Sequence, residues 1–239
     1  MKLDVIFTAD EIREEKIDGK NIVVIDVLRA TTVMITALAK GVKRIHVFED
    51  TEDVIESSQG IEEAILCGER KGLKVEGFHY GNSPLEYGSD VEGKIMYMTT
   101  SNGTKALVRS DRGNKIFIGA FINLQAVVEK ILEEDSDTVI VCAGTDGEFT
   151  MDDSLCAGTM IKKICERKEV SLTDAALAVR GLTSSEKGIH RILEESKHYT
   201  YLKKIGFQKD LEYCLTSDTF DTVPCYRDGV VERAGEEKL

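Results

Sequence analysis

Positive charge is scarce in this chain. Thirty-one lysines and arginines face 43 aspartates and glutamates, leaving a formal net charge of −12. Such a surface repels DNA and anionic membranes, which argues against nucleic acid or a bilayer as partner. An anionic ligand would need local arginines or a metal cation working against the overall field. Tryptophan is absent, and the only prolines are Pro84 and Pro224. No Pro-rich or Ser-rich segment, internal repeat or composition shift marks a linker, so a single domain over residues 1–239 is expected. The longest apolar stretch, 22–39, is interrupted by Asp26 and Arg29 and is not a membrane span. The opening MKLDVIFTAD has no apolar signal core, which favours a cytoplasmic protein. Six cysteines never form C-x-x-C, so reduced, mostly buried thiols are expected. Four histidines, at 46, 79, 190 and 198, lack zinc-ligand spacing.

What is present is a globular composition, 42% hydrophobic and 31% charged. Short β-branched runs alternate with helical patterns. Strands are expected at 3–7, 22–26, 44–48, 64–67, 94–98, 115–118, 138–142, 222–227 and 230–233. Helices are expected at 31–40, 52–58, 103–109, 124–133, 153–166, 173–180 and 186–196. Continuous apolar strands imply a sheet covered on both faces. The reading is α/β: a three-layer α/β/α sandwich around a mostly parallel, mixed sheet. The segment after Gly181 breaks the rhythm and is expected to carry an antiparallel edge or a cap. Leu38 and the apolar face of 31–40 read as core by default, with a subunit contact as the alternative; a homodimer stays open.

Ligands of open α/β sheets bind beyond the carboxyl ends of the strands. Five segments fall there. Asp26-Val-Leu-Arg29-Ala-Thr-Thr32 offers a candidate hard-oxygen magnesium ligand, Asp26, and an anion clamp, Arg29, with Thr31 or Thr32 as helix cap; the alternative is a capped helix with a surface salt bridge. Cys67-Gly-Glu69-Arg70 offers a second acid and base, or a plain surface turn. Gly77-Phe-His79-Tyr-Gly-Asn82-Ser-Pro84 is a loop in which Asn82 and Ser83 suit ligand contact and His79 reads as a loop residue. Thr99-Thr100-Ser101-Asn102-Gly103-Thr104 forms either an anion nest or a capped helix start. Gly144 to Gly158 places Asp152 and Asp153 at a helix start, one as a cap and the other as metal ligand or base.

Several mechanisms are excluded. Asp-x-Asp chemistry needs an acid where Leu28 stands. Cysteine phosphatase chemistry needs an arginine where Leu73 and Glu148 stand, and no R-H-G motif occurs.

Taken in order, VVIDVLRATT, CGERKG, GFHYGNSP, TTSNGT and VCAGTDGEFTMDDSLCAG resemble the 2-phosphosulfolactate phosphatases over residues 22–160. A weaker continuation runs through SKHYTYLKKIGFQKDLEYC and DTVPCY. The resemblance implies magnesium-dependent hydrolysis of a small anionic ester, 2-phosphosulfolactate, to sulfolactate and phosphate, a step of coenzyme M biosynthesis in methanogens. The alternatives are a phosphatase of another 2-phospho-hydroxyacid and a non-catalytic anion binder. The resemblance assigns Asp26, Arg29 and Asp153 to catalysis. It assigns Arg29, Arg70, Asn82, Thr100, Ser101, Asn102, Gly103 and Thr104 to the substrate, and Asp26, Glu69 and Asp153 to magnesium. Asp153 is preferred over Asp152. His79 departs from the family's Gly-Phe-Asp. Water activated by a carboxylate beside the cation is the first expectation for the nucleophile, and direct attack by Asp26 the second.

Overall fold

A computed structural model describes residues 1–183 and 186–233. The strands are β1 (Lys2–Ile6), β2 (Asn21–Ile25), β3 (Arg44–Phe48), β4 (Ala64–Arg70), β5 (Leu73–Lys74), β6 (Ile95–Thr99), β7 (Lys115–Gly119), β8 (Thr138–Cys142), β9 (Ser171–Leu172), β10 (Pro224–Arg227) and β11 (Val230–Arg233). The helices are α1 (Glu14–Ile17), α2 (Ala30–Ala39), α3 (Thr51–Ser58), α4 (Gly103–Arg109), α5 (Leu124–Glu134), α6 (Met151–Cys165), α7 (Asp174–Leu182), α8 (Glu186–Glu195), α9 (Lys197–Lys204) and α10 (Gln208–Cys214). Among the described residues the strands form one mixed sheet in the order β5-β4-β6-β3-β11-β10-β7-β2-β8-β1-β9.

The sheet has two parallel blocks, β4-β6-β3 and β7-β2-β8-β1-β9. Between them sits the β10–β11 hairpin, antiparallel to β7 on one side and to β3 on the other. The expected antiparallel element after Gly181 is therefore central, not an edge. Three antiparallel steps in a row also mean that the two blocks run in opposite directions. In a flat sheet their carboxyl ends would lie on opposite edges. Five strand-to-strand steps separate β6 from β2, and a twist of ~20–25° per step turns them by roughly 100° relative to each other. Helix α4 touches both β3 and β2, and α2 packs on α4. The sheet curls round these two helices, and the carboxyl ends converge.

Helix α2 is inaccessible on all sides from Ala30 to Leu38, so its apolar face is core and presents no subunit contact. Its buried hydroxyls are satisfied locally: Thr31 Oγ1 donates to the Asp26 and Gly119 carbonyls, and Thr36 Oγ1 to that of Thr32. Val24, Ile45, Met96 and Ile118 from both blocks face Met34 and Leu38 in one core. A second core lies on the opposite face, under α5, α6 and α7. Helix α3 covers the outer face of β4 and β6 with Val54 against Tyr97. These are the three layers. Helices α6 and α7 approach closely at Gly158, where a Cβ would stand 2.2 Å from the Val179 carbonyl oxygen. Four of the six cysteines are buried and all are reduced. Among the described residues no helix is long and apolar enough to cross a membrane.

Candidate active site

Strand β2 is apolar and buried throughout, and it delivers Asp26 into the turn before α2. The turn is closed twice. The Asp26 amide donates to Thr31 Oγ1 at 3.0 Å, and the Thr31 amide to the Asp26 carbonyl at 3.0 Å. Asp26 Oδ1 accepts the Ala30 amide at 3.0 Å, so the carboxylate caps α2. Neither Thr31 nor Thr32 is the cap, because both lie inside the helix with their hydroxyls turned to carbonyls. The Leu28–Arg29 peptide in this turn is cis. Gly103 packs against Asp26: a Cβ there would meet Asp26 Oδ2 at 2.6 Å and Ala30 Cβ at 2.5 Å. This contact places the carboxyl end of one sheet block against that of the other.

Asp26 opens into a cavity of 560 Å³ shared with Glu69, Asn82, Ser101, Asn102, Asp152 and Asp153. Glu69 accepts the Gly72 amide at 2.6 Å and the Ser101 amide at 2.7 Å, joining the β4–β5 turn to the β6–α4 turn. Asp153 accepts the Val27 amide at 2.8 Å and the Gly144 amide at 3.1 Å, joining the turns after β2 and β8. Each of these acids links two loops of the cavity floor through both of its oxygens. Asp152 differs, since its buried Oδ1 has no hydrogen-bond partner. Neither acid caps α6, whose N-cap is Thr150; Asp152 and Asp153 sit in its first turn at 2% exposure each.

Burial pushes Asp26 up to about 7, with the charge of Asp153 adding to the rise and His198 opposing it. Burial also lifts Asp152 to about 7, reinforced by Asp26. Asp153 is held well above the usual carboxylate range by burial and then by Asp152. Acids that oppose one another's ionisation in a cleft are groups set for proton transfer or cation binding.

The expected anion-binding residues separate into two sets. Arg29 reaches the cavity, but its guanidinium is engaged at 1% exposure. It donates to Asp210 Oδ2 at 2.5 Å and to the Gly72 carbonyl at 2.7 Å, and stacks 3.8 Å over the Phe207 ring. Arg70 lies outside the cavity, donating to the carbonyls of Glu69 and Glu49 and to Thr99 Oγ1. Thr100 and Thr104 bond each other reciprocally at 3.1 Å and fix the β6–α4 turn, so of the expected nest only Ser101 and Asn102 line the cavity. Asn102 Oδ1 accepts the Asp146 amide, tying that turn to the β8–α6 loop. Asn82 is buried with its Oδ1 unpartnered at the cavity. His79 accepts the Leu66 amide on its Nδ1 and is a loop residue as expected. The side chain of His190 lies outside the described residues.

Sequence reasoning missed the wall supplied by α9. His198 Nε2 contacts the Leu28 carbonyl at 2.8 Å, and Tyr201 Oη donates to the Lys71 carbonyl at 2.9 Å. Lys197 pairs with Glu148 at 2.7 Å. The aromatic and basic residues of SKHYTYLKK were the available signal.

Among the described residues no group of three or more His, Cys, Asp and Glu side chains is set to hold a metal ion. The donor chemistry nevertheless fits magnesium, which takes one or two carboxylates and keeps water and substrate oxygens for the rest of its shell. The unpartnered Asp152 Oδ1 and the cavity-facing Asp26 are two such donors.

Carboxyl groups raised by burial in a cleft of an α/β sheet suit the proton transfers of ester hydrolysis, so the class of protein this fold and cavity fit is an α/β hydrolase. The comparisons with known proteins narrow this. A family model described as 2-phosphosulpholactate phosphatase matches residues 6–229. A Clostridium acetobutylicum protein named probable 2-phosphosulfolactate phosphatase is 44% identical over 234 residues, covering 97% of this chain and 100% of the relative. Proteins of the same name from Clostridium tetani (43% identical, 97% and 100% covered) and Clostridium perfringens (42%, 97% and 96%) are similar over the same extent. The chain belongs to the 2-phosphosulfolactate phosphatase family, and it is a phosphoric monoester hydrolase.

Proposed function

We propose that this protein hydrolyses 2-phosphosulfolactate to sulfolactate and inorganic phosphate, with magnesium held by Asp26 and Asp152. The observation that carries the reading is the acid cluster itself: three carboxyl groups facing one cavity, each raised first by burial and then by a neighbouring acid. Bound there, magnesium would neutralise charge on the phosphoryl oxygens. Asn82, Ser101 and Asn102 orient the ester oxygens. Water attacks phosphorus, its proton passes to Asp26, and the bond from phosphorus to the ester oxygen breaks. Asp26 then passes that proton to the leaving oxygen, while Asp152 stays ionised to hold the cation. Asp153, Glu69 and the Arg29–Asp210 pair hold the loops in register.

The reading is tested by phosphate release from 2-phosphosulfolactate with magnesium and with EDTA, in wild type and Asp26→Asn. Equal rates in EDTA would remove the metal, and an unimpaired Asp26→Asn would remove the assigned base. A second reading, another 2-phospho-hydroxyacid, is favoured by the apolar wall of Leu28, Phe149, Met151 and Leu202. Side-by-side kcat/KM values for 2-phosphosulfolactate, 2-phospholactate and 2-phosphoglycerate decide between the two.

A further inference from the structure

Hydrolysis of an ester with a second strong-acid group leaves one electrostatic question open. The chain carries a net charge of −12, and the cavity floor is itself acidic. A cation must face the end of the substrate remote from phosphorus. Most basic groups near the cavity are already engaged: Arg29 by Asp210 and Gly72, Arg70 by three oxygens outside, Lys197 by Glu148, and His198 by the Leu28 carbonyl.

Lys71 is different. Strands β4 and β5 pair Arg70 with Leu73, leaving a two-residue turn of Lys71 and Gly72. Both have positive φ, 53° and 77°, as a hairpin of this length requires. Asn-Gly or Asp-Gly is the favoured pair there, because a long side chain at positive φ crowds its own backbone. A lysine in this conformation points to use of its side chain. The turn's backbone is fixed on three sides. Tyr201 Oη donates to the Lys71 carbonyl, the Gly72 amide donates to Glu69 Oε2, and Arg29 donates to the Gly72 carbonyl. Lys71 lines the cavity, is exposed, and has no ion-pair or hydrogen-bond partner for its ammonium among the described residues.

We propose that Lys71 is a specificity-determining residue of this cavity, its ammonium binding the strong-acid group, a sulfonate, that the ester carries away from phosphorus. The choice of sulfonate rests on the function proposed above; the assignment of an anion-binding role to Lys71 rests on the turn and the cavity.

The test is calorimetric titration of the full-length protein, in magnesium, with 3-sulfolactate, lactate and inorganic phosphate. Lys71→Met is expected to weaken sulfolactate binding by about tenfold or more, the loss of a charge-assisted contact, while phosphate affinity stays within about twofold. Lys71→Arg should restore most of the sulfolactate affinity. Lys71→Asn should lose it as Met does yet melt no lower than wild type, since asparagine tolerates the positive φ. Sulfolactate affinity retained in Lys71→Met, equal weakening of sulfolactate and phosphate, or a lower melting temperature in Lys71→Asn would each overturn the proposal. So would a wild type that does not bind sulfolactate. If the wild type binds sulfolactate through Lys71 but releases no phosphate from any ester, the hydrolytic reading fails and the role of Lys71 stands.

Discussion

Replacing Asp26 by asparagine should make the metal-free protein more stable at alkaline pH while abolishing its activity. Burial and Asp153 raise the Asp26 carboxyl from 3.8 to about 7. A raised carboxyl means that the folded state holds its proton more tightly than the unfolded chain. Between about pH 4 and pH 7 the unfolded chain has lost that proton and the folded state has not. Stability from this group therefore falls as pH rises, and above 7 the full penalty of a buried charge is present. At ~1.4 kcal/mol per pH unit the penalty is about 4 kcal/mol. Asparagine keeps an oxygen for the Ala30 amide and removes the charge that opposes Asp152. The expected gain at pH 8 in EDTA is about 2–4 kcal/mol, a rise of about 5–15 °C in Tm for a chain of this length. Near pH 4 the two proteins should have nearly equal stability. Urea unfolding followed by circular dichroism at pH 4, 6 and 8 reads the difference directly. Magnesium should then close the gap by stabilising wild type alone. An Asp26→Asn protein that is less stable than wild type at pH 8 in EDTA would refute the view that the cavity acids repel one another.

Asp210→Ala leaves the guanidinium of Arg29 buried without its counter-ion and should cost about 3–5 kcal/mol in urea unfolding, with activity lost as the Gly72 turn loosens. Gly103→Ala drives a methyl group into Asp26 Oδ2 and Ala30 Cβ; kcat should fall about tenfold or more, and stability by about 1–3 kcal/mol. Gly158→Ala forces α6 from α7 at the Val179 carbonyl and should lower Tm by several degrees, with KM of the remaining folded enzyme unchanged.

Local pattern carried much of the fold. Strands β3, β8 and β11 and helix α4 have the bounds expected from apolar periodicity, and α2, α3 and α5 start or end one residue away. Helix α6 begins at Met151 rather than Asp153, because Thr150 takes the N-cap and both acids enter the first turn. The two-residue strands β5 and β9 and the short helices α9 and α10 escaped, since segments of this size carry too little periodicity to stand out. Glycine loops and acids at strand ends led to Asp26, Glu69, Asn82, Ser101, Asn102 and Asp153, all of which line the cavity. The direction of Arg70 was not legible: a guanidinium beside an acid reads equally as an anion clamp or as a cross-link between loops, and three oxygens near Thr99 fix it as the second.

By itself the sequence determined which residues are apolar, where the chain turns, and which turns carry acids, because these follow from periodicities of two and 3.6 and from backbone preferences. Only the tertiary structure decided that the acids meet. The late hairpin reverses one half of the sheet against the other, and twist accumulated over five strand-to-strand steps brings the opposed carboxyl ends together at Gly103 and Asp26. It also decided which charges are free. Arg29 is committed to Asp210, 181 residues away, and Lys71 is left facing the cavity. Pairing between such distant residues depends on how the layers pack, and no local pattern encodes it.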